Sequence, residues 1–240
     1  MKTKSVIFGL VFLCALITSC DHDTIRAKGA VTVNEVQLSG YTGLELSNAF
    51  DAYVKFSDSE EKIEIEANDN LHEKIVVKIE GNNLIVKLKN HTTVKGNATL
   101  NVYITTNNIN YFNISGASAI FLEDELNTQT AKIRMSGAST FSGDIYANEV
   151  QLKSSGASDI SLFGNVDVLD ANLSGSSKLG GYDLITEKLN IDLSGASDAN
   201  LTVLESIDIK ASGASSLRYK GDAVIDHKDL SGASEIIKKD

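Results

Sequence analysis

Apolar residues in the second half of this chain fall into columns when the sequence is aligned on a recurring word, Ser-Gly-Ala-Ser. Its glycines are Gly116, Gly137, Gly156, Gly175, Gly195, Gly213 and Gly232, spaced 18 to 21 residues apart. Four residues after them stand Ile120, Phe141, Ile160, Leu179, Ala199, Leu217 and Ile236, all apolar. Two residues before them stand Ile114, Met135, Ser154, Leu173, Leu193, Ala211 and Leu230. Four before stand Phe112, Ile133, Leu152, Ala171, Ile191, Ile209 and Lys228. The position three after the glycine is mostly water-compatible, as in Thr140, Asp159, Lys178, Asp198 and Glu235. Apolar positions two apart on both sides of the word predict a strand entering it and a strand leaving it. Ser154 and Lys228 are the weak points of otherwise apolar columns.

A unit this short cannot enclose a core of its own, but it can form one coil of a solenoid whose core exists once coils stack. Each coil is expected to hold a strand, a tight corner at the word, a second strand and a shorter third side that returns the chain. Parallel pairing at about 4.8 Å per coil makes seven corners a rod of roughly 30 Å. Glycine supplies a backbone shape that other residues avoid. The small alanines and serines can stack at a narrow edge, and the hydroxyls can cap backbone groups. One copy varies, Ser174-Gly175-Ser176-Ser177. The chain has no proline, which suits a backbone engaged in ladders, and it shows no amphipathic helix pattern. The expectation is an all-β parallel β-helix. A sandwich or antiparallel sheet could use the same alternation but would not need the repeated word.

The first half alternates without the word. Leu44 and Leu46, then Ala52, Val54 and Phe56, then Ile63, Ile65 and Ala67 read as strands. Ile75 to Ile79 and Leu84 to Leu88 flank Glu80-Gly81-Asn82-Asn83, a hairpin signal. Leu100, Val102 and Ile104 give one more strand before the first word. This half is either an irregular start of the solenoid or a small β domain covering its open end. Either would protect strand edges.

The chain opens with Lys2 and Lys4, an apolar run from Val6 to Ile17, and Ile17-Thr18-Ser19-Cys20. The run is too short to span a bilayer, which takes about 20 residues, and reads as an export signal. Its end resembles the lipobox of bacterial lipoproteins, in which the cysteine becomes the lipidated first residue. Cys14 would be lost with the signal, so no cysteine would remain for a disulfide or thiolate metal site. Without residues 1–19 the 20 basic and 32 acidic residues give a net charge of −12. That disfavours nucleic acid and direct electrostatic binding to anionic lipid. The expected organisation is a signal peptide at 1–19, a tether at 20–34, a β-rich part or cap at 35–109 and the β-helix at 110–240.

The Phe50-Asp51-Ala52-Tyr53-Val54 strand, the Glu60 to Ala67 strand, the stretch from Asn70-Leu71 to Gly81-Asn82-Asn83-Leu84 and the Ser-Gly-Ala-Ser series together resemble the putative auto-transporter adhesin, head GIN domain family. The resemblance covers roughly residues 35–240. It implies a right-handed β-helix of the kind found in envelope proteins of Bacteroides-like bacteria, and it brings no catalytic residues with it.

Chemistry is sparse. Gly116-Ala117-Ser118 and its copies lack the second glycine and the helix of a nucleophile elbow, and a near-identical serine in every coil points to a structural ladder. His22, His72, His91 and His227 form no short zinc pattern. Asp159 and Asp198 share a repeat position and would lie two coils apart, roughly 10 Å, with Lys178 between them. Glu123-Asp124-Glu125 reads as a charged loop. There is no tryptophan. Tyr146, Tyr182 and Tyr219 are the tyrosines to place, Tyr219 in an inward column and Tyr182 at the surface. No nucleotide, haem or iron–sulfur motif is present, so neither cofactor nor metal is expected.

The functional expectation is a noncatalytic envelope lipoprotein, held at the outer membrane by its lipid anchor, with a structural or adhesin role. Its partners would be a glycan or an envelope or host protein. The competing expectation is a carbohydrate-active β-helix enzyme using surface carboxylates. The short tail after Gly232 leaves a weak homodimer open, opposed by the net charge. Acyl-chain labelling of cells should mark the wild-type protein and not Cys20→Ala; equal labelling of both would reject lipidation at Cys20.

Overall fold

The computed structural model describes residues 23–240. The expected signal segment and Cys20 lie outside the described residues. In the first half, strands run in the order β1 (Asp23–Arg26), β2 (Val31–Val36), β3 (Gly43–Leu46), β4 (Asp51–Phe56) and β5 (Lys62–Asn68). A 3-10 turn over Asp69–Lys74 leads to β6 (Ile75–Glu80), β7 (Asn83–Leu88), β8 (Thr92–Lys95) and β9 (Leu100–Thr106). The word-bearing half holds β10 (Tyr111–Ile114), β11 (Ala119–Leu122), β12 (Leu126–Met135), β13 (Thr140–Ser154), β14 (Asp159–Leu173) and β15 (Lys178–Gly180). It ends with β16 (Leu184–Leu193), β17 (Asp198–Ala211), β18 (Ser216–Lys220), β19 (Val224–Leu230) and β20 (Glu235–Lys238).

From β10 onward every pairing is parallel and joins successive coils, so the chain forms a β-solenoid. Each coil has three sides. Thr140 to Asp144 leave the word and pair with Asp159 to Phe163 of the next coil. A short middle side follows, as in Leu126 to Thr128 against Ile145 to Ala147. The approach to the next word runs over Glu149–Ser154, paired with Val168–Leu173. Inward alternation changes phase between the sides: Phe141 and Ile145 are buried, then Val150, Leu152 and Ser154. That phase change is how a strand of period two turns a corner and keeps its apolar side inside.

The glycine column fixes the corner. The word glycines have φ between +70° and +87°, a region costly for residues with a Cβ. The carbonyl oxygen of each word glycine from Gly116 to Gly213 accepts from the residue after the next word's glycine. The distance is 2.8 Å at Ala138 and Ala157 and 2.7 Å at Ser176, Ala196, Ala214 and Ala233. That oxygen also occupies the space where the next glycine's Cβ would stand, 2.5 Å away at Gly175 and Gly195. From the second word on, the serine two places after the glycine donates to the carbonyl three residues back: Ser139 to Ser136 at 2.7 Å, Ser177 to Ser174 at 2.8 Å, Ser215 to Ser212 at 2.8 Å. The backbone carbonyl at the bend is thereby satisfied without water. Ser118 of the first word is buried without such a bond. Ser154, the polar member of an apolar column, is fully buried and donates to Ser177 Oγ at 3.0 Å.

The first half winds differently. β3 and β4 form a coil that is later sandwiched on both flanks. β7 and β9 pair on one flank, β10 and β11 on the other. Between β3 and β4, Ser47-Asn48-Ala49-Phe50 spans the same four positions as Ser115-Gly116-Ala117-Ser118. Asn48 takes the glycine's place at φ +68°, and Phe50 fills the interior where the word has serine. Asparagine tolerates this region better than most residues, so the corner survives without glycine. The expected hairpin is present, with β6 antiparallel to β7 and Glu80 opposite Asn83. β5 runs antiparallel along β9 and β2 along β5, so antiparallel strands cover this end of the stack. One contiguous apolar core runs from Tyr41 to Ala223.

The expectation of a tether over 20–34 is corrected for its described part. Residues 23–26 are β1, paired with β8, and β2 begins at Val31. Half-buried Ile25 and Ala27 pack against the core, which holds this segment down.

Gly195 and Gly81 separate the two demands of the corner. Both have positive φ, but a Cβ on Gly81 meets nothing within 4 Å. Gly81→Ala should lose only the conformational term, about 1–2 kcal/mol. Gly195→Ala should lose that plus about 1–3 kcal/mol of overpacking, read from urea midpoints at equal slope. Equal losses would contradict the close backbone stack.

Candidate functional site

Two outward ladders line the side that approaches the word, at the positions three and five before each glycine. Six parallel strands, β12, β13, β14, β16, β17 and β19, present them around a concave space of about 870 Å³. Parallel register stacks like positions at about 4.8 Å, so charge along the groove follows coil order. Lys132, Arg134 and Lys153 occupy one end. Asn172 and Asn190 lie at the middle, where Asn190 Nδ2 donates to Asp170 Oδ1 at 2.6 Å. Asp170 and Asp192 stand on the same two strands, and at the far end Asp208 and Asp229 alternate with Lys210 and Lys228. There His227 Nδ1 lies 2.7 Å from Asp208 Oδ1. The groove is thus positive over β12 and β13, carries carboxylates beside amides over β14 and β16, and mixes acids with lysines over β17 and β19.

The opposite ladder, on the side leaving the word, is built for cohesion. Asp159, Lys178 and Asp198 stack in register. Arg218 reaches Asp198 Oδ1 at 3.2 Å through Nη1 and Glu235 Oε1 at 3.2 Å through Nη2, tying three coils together. Asp198 also accepts from Ser216 Oγ. Such half-exposed pairs contribute little each, about 0–1 kcal/mol, but they occupy the carboxylate that a glycosidase reading would need free. Lys178 separates Asp159 from Asp198 as expected.

Nearer the covered end of this side stands an aromatic ladder the sequence reading missed. Tyr53 stacks on Tyr103 with centroids 5.2 Å apart and on Phe121 at 5.4 Å. Tyr103 Oη donates to Glu66 Oε2 at 3.0 Å, and burial raises its pKa. The signal lay in β9, β4 and β11 sharing one register, which local alternation does not reveal. Asp51, beside this ladder in β4, has its carboxyl pKa raised by burial. Tyr41 is buried deeper, and its phenol is pushed up to about 12.

The seven word glycines line one edge of the solenoid. Tyr219 is in the core, and Tyr182 is half-buried with Lys220 Nζ 5.2 Å from its ring centroid. His227 belongs to the groove, His72 bonds Thr32 Oγ1 at 3.0 Å, and the two histidines are on different faces. No group of three or more metal-ligating side chains occurs among the described residues. No helix among them is long and apolar enough to cross a membrane. The groove ladders were legible by extending the alignment to the third and fifth positions before the glycine, where charge rather than apolarity carries the pattern.

Comparison with known proteins agrees with this architecture. Residues 40–223 match the model of the family described as putative auto-transporter adhesin, head GIN domain. A crystal structure of a putative adhesin from Bacteroides fragilis superposes with a TM-score of 0.79 at 19% identity, covering 89% of this chain and 97% of that one. A putative lipid binding protein from Parabacteroides distasonis gives 0.75 at 17% identity, over 91% of this chain and 100% of that one. A putative adhesin from Parabacteroides merdae gives 0.73 at 16% identity, with 91% and 100% covered. At these identities the likeness concerns the fold. No functionally curated protein matches the chain. The family match spans most of the sequence, and the chain belongs to the putative auto-transporter adhesin, head GIN domain family.

Proposed function

We propose that this family member is a noncatalytic, lipid-anchored protein of the cell envelope with an adhesive or structural role, and that its charged groove is the binding surface. The observation that carries the reading is the groove itself. It is a long concavity on a parallel sheet, with cations alone at one end and carboxylates, amides and lysines mixed along the rest. A rigid sheet holds these groups in place before any ligand arrives, which lowers the ordering cost of binding. The cationic end and the mixed carboxylates and amides beyond it would orient an extended ligand with an anionic end and many hydroxyl groups, such as an envelope or host glycan. The anchor follows from Cys20, and the family description supplies the adhesin role.

The mature protein, assayed on arrays of bacterial and host glycans, should bind a subset saturably and release no product. Arg134→Glu with Lys153→Glu should weaken that binding about tenfold or more, equivalent to about 1.4 kcal/mol. Reproducible product release would overturn the noncatalytic reading. Binding unaffected by the double substitution would move the site off the groove.

A further inference from the structure

The net charge of the chain hides a segregation that the fold creates. β1 lies beside β8 in parallel register, with Arg26 next to Lys95, both exposed. The 3-10 turn closes onto the same place. Asn70 Oδ1 accepts from Lys28 N at 2.9 Å, Asn70 Nδ2 donates to Arg26 O at 3.0 Å, and Lys89 N donates to Lys74 O at 2.8 Å. Residues 23–28, 69–74 and 87–95, distant in sequence, therefore form one surface at the covered end of the solenoid. They carry six basic and three acidic side chains, in a mature chain that is otherwise strongly acidic. Two of the acids are held by one cation: Lys74 Nζ lies 2.9 Å from Asp23 Oδ2 and 3.8 Å from Glu73 Oε1. Arg26, Lys28, Lys89 and Lys95 are exposed, and none of them is in an ion pair with the described residues. Setting Arg26 beside Lys95 works against the fold, because like charges on neighbouring strands repel.

We infer that this end of the solenoid is a docking surface for the anionic headgroups of the membrane that carries the protein. The inference rests on the proposed anchor at Cys20, which stands three residues before Asp23. Even fully extended, three residues span at most about 11 Å. An acyl chain on Cys20 would therefore hold β1, β8 and the 3-10 turn against the bilayer surface. The basic patch would add an electrostatic attraction to anionic headgroups beside that anchor. A hollow of about 380 Å³ lined by Asn48, Leu88, Lys89, Asn90, His91 and Thr92 opens beside the patch. In this orientation the covered end faces the lipid, and the groove coils extend away from it.

The test separates the patch from the anchor by using the mature full chain with Cys20→Ser, which carries no lipid. It should sediment with phosphatidylglycerol-containing vesicles and not with pure phosphatidylcholine vesicles, and added salt should release it. Arg26→Glu with Lys95→Glu should reduce this binding by about tenfold or more. Lys28→Glu with Lys89→Glu should do the same as an independent pair. Lys132→Glu with Lys153→Glu, in the groove, should leave it unchanged. Absence of binding to the anionic vesicles, equal binding to both kinds, or insensitivity to both patch pairs would overturn the inference. Acyl labelling at Cys20 is read separately, so loss of the anchor reading would not be mistaken for loss of the patch.

Discussion

The structure depends on one close approach: the carbonyl of a word glycine sits where the next word's Cβ would be. Only a column of glycines permits that distance, and the positive φ at each of them gives the bend. Once the glycines stack, the strands on either side are set in parallel register. The residues two and four places from the corner then point inward, and the interior serine meets the carbonyl three residues behind it. Core, ladder and surface charge all inherit their order from this contact. The outward positions are freed from packing duty, so their chemistry is set independently on each side of the coil.

The solenoid was legible because its signal repeats. Seven copies average out local exceptions such as Ser154, whose burial is satisfied by a hydroxyl one coil on. The winding of the first half was not legible, because it depends on long-range pairing. β3 and β4 lie between two layers that both come later in the chain, and their corner uses Asn48 rather than glycine, so no word marks it. The described part of the expected tether was misread for a related reason. Asp23 to Arg26 are mostly polar and exposed, and only β8, some seventy residues on, makes them a strand. The groove was half legible: its charges stand at fixed repeat positions, but their concave arrangement comes from the coil's shape. The basic end could not be read from composition, since it joins three separate segments of an acidic chain.

The two ends of the rod differ. One is covered by antiparallel β2, β5 and β6 and carries the basic surface. At the other, Lys228 stands at a column position that is apolar in the preceding coils, and Leu230 and Ile236 are only half-buried. A charge at a core position discourages another sheet edge from adding there. The molecule thus has a direction, with the side chains of the groove running between the covered, basic end and the opposite one.

The glycine contact itself can be measured in solution through NMR couplings transmitted across hydrogen bonds. The account predicts correlations from the amide nitrogens of Ala138, Ala157, Ser176, Ala196, Ala214 and Ala233 to the carbonyl carbons of Gly116, Gly137, Gly156, Gly175, Gly195 and Gly213, in that order. Couplings from these amides to carbonyls within their own coil, or to a scattered set of residues, would contradict it.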